Sequence, residues 1–120
     1  MSIIQTQPVG QPGGSTVFTR KLYIVPPTAT QGVDSVDITT TIAAKWMVSI
    51  RNVVTNDTNV FEVMAVHNNA AALHNISNEV GQHIATFVNV DVFGSFMVLE
   101  ITNNITDNIE VRVQNITMQL

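Results

Sequence analysis

The chain contains no cysteine, which excludes disulfides and thiolate metal sites. It is also poor in charge. Asp, Glu, Lys and Arg together make up 12% of its 120 residues, about half the usual quarter. Only five residues are Lys or Arg, and they are scattered. No basic stripe therefore exists to neutralise phosphates, and nucleic acid is not an expected partner. No apolar run reaches the roughly 18 residues of a membrane-spanning helix, and no membrane is expected either. Met1 to Pro12 has neither the basic nor the apolar segment of a secretory signal, so synthesis in the cytosol is expected.

The means of catalysis are equally sparse. Ser2, Ser15, Ser35, Ser49, Ser77 and Ser95 all lie outside a G-x-S-x-G elbow. His67, His74 and His83 are spaced seven and nine residues apart, which matches neither a strand nor a helix ligand pair. They are expected to bond locally at strand ends, although a site on an oligomer axis would need only one of them per subunit. Glu62, Glu100 and Glu110 sit on polar faces of different predicted strands and suggest a solvated surface more than a glycosidase pair. Gly13-Gly14 lies in a Pro- and Gly-rich opening segment, and Gly81 and Gly94 stand alone, so no phosphate loop forms. The sequence thus assigns no catalytic, cofactor-binding or metal-binding residue, and a non-enzymatic protein is expected.

What the chain does have is alternation. Lys45 to Val53 places Trp46, Val48 and Ile50 on one side and Lys45, Met47, Ser49 and Arg51 on the other. That period of two marks a half-buried strand. Similar patterns predict strands over Thr16 to Val25, Val33 to Ile42, Val60 to His67, His74 to Val80, Ile84 to Val92, Phe96 to Thr102 and Ile109 to Met118. Asn56-Asp57-Thr58-Asn59, Phe93-Gly94-Ser95 and Asn103 to Asn108 supply turns. Seven or eight short strands without a convincing helix predict an all-β antiparallel sandwich or barrel, with a jelly roll suited to eight. Residues 1–15 read as a flexible N-terminal arm and 16–120 as the sandwich.

Several features point to assembly. Asn, Thr, Gln and Ser replace the missing charge, and uncharged polar surface is buried against a partner at low desolvation cost. Met47, Met64, Val66, Phe96 and Val98 fall opposite the predicted core, where a solvated face should be polar. Ile3, Ile4 and Val9 give the arm apolar anchors. These eight residues form the predicted oligomer or partner interface. The alternative is a carbohydrate- or receptor-binding module. It is disfavoured because most of the aromatics fall on predicted core faces.

The stretches Val33 to Ile38, Lys45-Trp46-Met47-Val48-Ser49-Ile50 and Phe61-Glu62-Val63-Met64-Ala65-Val66-His67 resemble small β-rich virion proteins of tailed bacteriophages. His74-Asn75-Ile76, Gly81, Leu99 to Asn104 and Ile109 to Ile116 extend the resemblance over about residues 33–120. In that family the last strand ends on a basic residue; here Arg112 comes early. The resemblance implies a jelly-roll-like sandwich, a homo-oligomer with a trimer favoured, and attachment to other virion proteins of the capsid or tail. It implies a decoration, collar, baseplate or fibre role in a particle assembled in the host cytoplasm, with no cofactor.

Overall fold

The computed structural model describes residues 16–119, and side chains from Arg20 onward. The described chain is antiparallel β-structure: β1 (Thr16–Val25), β2 (Thr30–Asp37), β3 (Thr41–Asn52), β4 (Thr58–His67), β5 (Ala72–Gly81), β6 (Thr86–Phe93), β7 (Phe96–Asn103) and β8 (Ile109–Gln119). They form a five-stranded sheet in the order β1-β8-β3-β4-β5 and a three-stranded sheet in the order β2-β7-β6. The arm anchors Ile3, Ile4 and Val9 lie outside the described residues.

The chain alternates between sheets through β1, β2 and β3, and crosses back from β7 to β8. This gives the jelly-roll-like wrap. β3, β4 and β5 are instead a plain meander within the larger sheet. The register of β8 is fixed on both sides, with Val113 beside Lys21 and Val48. The early Arg112 therefore leaves the last strand in full pairing.

Alternation positions the core as the sequence predicts. Trp46, Val48 and Ile50 of β3 and Val63 of β4 face inward with Val111 and Val113 of β8. They meet Met97, Leu99 and Ile101 of β7 and Val33 of β2. At about 1.5–3 kcal/mol per fully buried large apolar side chain, this layer supplies the main stabilisation.

Turn chemistry sets the boundaries. The strand predicted over Val33 to Ile42 breaks in two because Asp37 caps a turn. Its carboxylate accepts from the Thr39 backbone N–H at 2.8 Å and the Thr39 hydroxyl at 2.6 Å, an Asx arrangement that competes with the ladder. Asn68 closes the β4–β5 turn by accepting from the N–H groups of Ala70 and Ala71. Gly94, with φ +62°, opens the two-residue β6–β7 hairpin, where a primed turn needs positive φ. Gly81 ends β5 at φ +101°, and a Cβ there would overlap the Thr58 carbonyl oxygen. Only glycine fits that position.

Candidate functional site

Residues directly opposite in antiparallel strands share a sheet face, so the registers define the outer surface of the five-stranded sheet. One row runs Met118, Ala43, Val66, Leu73; the next Ile116, Lys45, Met64, Asn75; the next Arg20, Gln114, Met47, Glu62, Ser77. Leu22, Arg112, Ser49, Val60 and Val80 form a fourth row, and Ile24, Glu110, Arg51 and Thr58 a fifth. The predicted interface residues Met47, Met64 and Val66 are all here, exposed by 50%, 55% and 45%. Leu22, Ile24, Leu73, Val80 and Met118 are exposed beside them. A shallow depression of about 240 Å³ opens among Ala43, Met64, Ile116 and Met118.

The charges on this face are largely paired. Lys45 Nζ lies 3.5 Å from Glu62, and Glu110 holds Arg51 Nε at 3.2 Å and Arg112 at 3.3 Å. The Asn78 amide donates to Glu62 at 2.9 Å. That hydrogen bond, with Lys45 adding to it, holds the Glu62 carboxyl below its ordinary pKa. The Arg51 hydrogen bond does the same for Glu110, with the Arg112 charge adding to it.

Phe96 and Val98, the other predicted interface residues, are on the opposite side of the sandwich. They belong to the outer face of the three-stranded sheet, where Phe96 pairs with Phe93 and Val98 with Asp91. Val98 is half-buried there. The predicted interface is thus two surfaces. The placement of most aromatics in the core also needs correction. Trp46 and Phe61 are buried, but Phe87, Phe93 and Phe96 are exposed by 58%, 52% and 46%. Hairpin register turns all three outward, because Val88, Val90 and Val92 take the inner side of β6.

Between the sheets lies a polar cluster that sequence reading did not single out. Asp34 is buried, with its side chain 3% exposed, and Lys21 Nζ approaches its Oδ1 at 2.8 Å. Trp46 Nε1–H and the Asn115 amide both donate to its Oδ2, the former at 2.8 Å. A bulge between Gly32 and Asp34 turns Val33 and Asp34 both inward. Burial pushes the Asp34 pKa up, but hydrogen bonds from Lys21, Asn115 and Trp46 together with the Lys21 charge outweigh it, and the carboxyl lies below its ordinary value. Lys21 is raised, first by its hydrogen bond to Asp34. The cluster ties β1, β3 and β8 of one sheet to β2 of the other. The sequence signal was present: a lone acid on the same side of its strand as Val36 and Ile38.

Asparagine has a second use that composition did not reveal. Asn52, Asn59, Asn103 and Asn115 are buried, so part of the uncharged polar content serves the inside of this domain. Asn103 donates to the carbonyls of Val25 at 3.0 Å and Asp107 at 2.8 Å and accepts from the Ile105 N–H. It joins the ends of β1 and β7 to the following turn.

Glu62 and Glu110 share one outer face, with β3 between their strands, and Glu100 is on the other. The structure does not bring the three together. His67 Nε2 donates to the Thr41 carbonyl at 2.6 Å while its Nδ1 accepts from the Asn69 N–H. His83 Nδ1 lies 3.2 Å from Glu79, and His74 is exposed on β5. Among the described residues no three His, Asp or Glu side chains gather as a metal site would require.

No protein-family model and no curated protein sequence matches this chain. Two solved structures are similar in fold. The tailspike protein of Acinetobacter phage vB_ApiP_P1 superposes with a TM-score of 0.57 at 11% identity, over 94% of this chain and 24% of that one. The tailspike protein gp49 of Acinetobacter baumannii bacteriophage Fri1, a capsular polysaccharide depolymerase, matches with a TM-score of 0.46 at 14% identity, over 93% and 21%. This chain therefore spans about a quarter or less of either tailspike. The second neighbour corrects the expectation of a non-enzymatic protein, because it is itself described as an enzyme. A missing serine or cysteine nucleophile is weak ground for such an exclusion, since paired carboxylates hydrolyse glycosides without any local motif. The depolymerase description belongs to that tailspike. What the first comparison shows for this chain is its fold, an antiparallel β-sandwich of a kind that also occurs within a phage tailspike.

Proposed function

We propose that this chain is a self-associating structural domain of a bacteriophage tail appendage. The observation that carries the proposal is the exposed apolar surface on both outer faces of a sandwich whose fold recurs in a tailspike. A contiguous apolar patch of this kind marks a contact surface. Each half-exposed Leu, Met or Val gains about 1 kcal/mol when covered. The paired charges between them enter an interface with partners already in place.

The test has two parts. Analytical ultracentrifugation of the full chain is expected to show an oligomer, and peptides of the chain are expected by mass spectrometry in purified tails. A monomer at every concentration, or a chain absent from tails, would overturn the reading.

A second reading has its own support. Phe87, Phe93 and Phe96 form exposed rings on the three-stranded face, and such rings stack on the apolar faces of sugars. Glycan-array binding that disappears in Phe87→Ala and Phe93→Ala would favour a carbohydrate-binding role for that face.

A further inference from the structure

The two outer faces differ in charge as well as in strand number. Of the five Lys and Arg residues, Arg20, Lys45, Arg51 and Arg112 all lie on the five-stranded face, with only Glu62 and Glu110 opposing them. Arg20 takes part in no ion pair among the described residues. The remaining base, Lys21, points to the other side of the sheet and is paired with Asp34, its side chain 42% exposed. The three-stranded face carries Asp37, Asp91 and Glu100 and no base. Their hydrogen bonds are all neutral: Asp37 to Thr39, Asp91 to the Val92 N–H, and Glu100 to the Asn89 amide. One face is net positive and apolar; the other is net negative and carries three exposed phenylalanines.

We infer that these faces are the two halves of one contact between copies of this chain, the five-stranded face of one copy covering the three-stranded face of the next. The inference rests on the reading of the domain as self-associating and names its partner surface. Opposite potentials attract and fix orientation, whereas like charges brought face to face oppose association. A symmetric contact using either face alone would set positive on positive or acid on acid. The crossed contact instead pairs uncompensated acids with basic residues and covers both apolar patches. It also explains why the predicted interface residues divide between the two sides. Such a contact is head to tail, and it closes into a ring or continues as a filament according to the rotation between neighbours.

Because the chain has no cysteine, single introduced thiols report on it cleanly. Full-length Met64→Cys and Phe96→Cys proteins, both altered at exposed positions, are treated with a short bismaleimide separately and as a mixture. Met47→Cys and Phe93→Cys provide a second pair. The crossed contact predicts cross-linked dimers in the mixtures, none in the single variants, and loss of the cross-link at high salt. Dimers from Met64→Cys alone or Phe96→Cys alone overturn the crossed contact but leave self-association standing. So does an oligomer in which neither mixed pair cross-links. A monomeric parent chain overturns both readings and leaves the faces to a different virion protein.

Discussion

The two sides of the five-stranded sheet are made by the same strands yet handle polarity in opposite ways. On the inner side, a base, an asparagine and a tryptophan (Lys21, Asn115 and Trp46) all bond to Asp34 of β2. On the outer side, Met47, Met64, Val66 and Leu73 are exposed. Polar groups inside and apolar groups outside reverse the ordinary arrangement. The inner carboxylate finds its partners within one chain, and only the Asn115 side-chain oxygen beside it is left without one. The outer face is incomplete, because none of the described residues covers it. Self-sufficiency separates what holds the domain together from what is left for another surface.

The largest effect should come from breaking the inner cluster. Asp34→Ala leaves the Trp46 N–H and the Asn115 amide buried without an acceptor, and should cost about 3–5 kcal/mol in urea unfolding. A cost below about 1 kcal/mol would show that the cluster is dispensable. Gly81→Ala should follow at about 3 kcal/mol, because it combines a positive φ with overlap on the Thr58 carbonyl. The same denaturation curve reads it, and an unchanged midpoint would refute the steric argument.

Acid should weaken the inner cluster, alongside the outer-face carboxylates Glu62 and Glu110, which are depressed as well. The Asp34 pKa is depressed in the folded chain, so its contribution is present above the unfolded value of about 3.9 and is lost as pH falls through the lower folded value. The raised Lys21 works the other way. Its contribution is complete below about 10.4 and is lost as pH rises beyond that. Thermal melts should therefore be flat between these limits and fall below about pH 4. Asp34→Asn should lower the plateau and make the acid limb shallower, leaving the part that Glu62 and Glu110 contribute. An acid limb equally steep in that variant would place the titrating group elsewhere.

The smallest effect on stability, and the sharpest contrast, belongs to the outer face. Met64→Lys should change unfolding free energy by no more than about 0.5 kcal/mol, as exposed substitutions do. It should nevertheless weaken self-association by sedimentation. If it destabilised the monomer as much as Asp34→Ala, the two sides would not be functionally distinct.

Most of the strand pattern was legible in the residues, because a half-buried strand needs alternation. Trp46, Val48 and Ile50 announce their face without reference to anything distant. The break of β2 at Asp37 was not legible, since a single carboxylate bonding Thr39 outweighs a strand pattern running through Ile38. The inner cluster was only half legible. Asp34 stood on an apolar side, but Lys21, Trp46 and Asn115 come from three other strands. The exposure of Phe87 and Phe93 was missed because aromatic residues suggest core until a register shows which way they turn.

By itself the sequence determined the local facts: where strands run, which side of each is apolar, where turns fall, and that no disulfide holds the fold. Each follows from period-two geometry or from the chemistry of one or two neighbouring residues. The tertiary structure decided everything that joins distant strands. It closed Asp34 into an inter-sheet network and placed four of the five bases on one face. It also divided one list of exposed apolar residues between two opposite surfaces. Pairing order and register carry that information, and no single strand contains it.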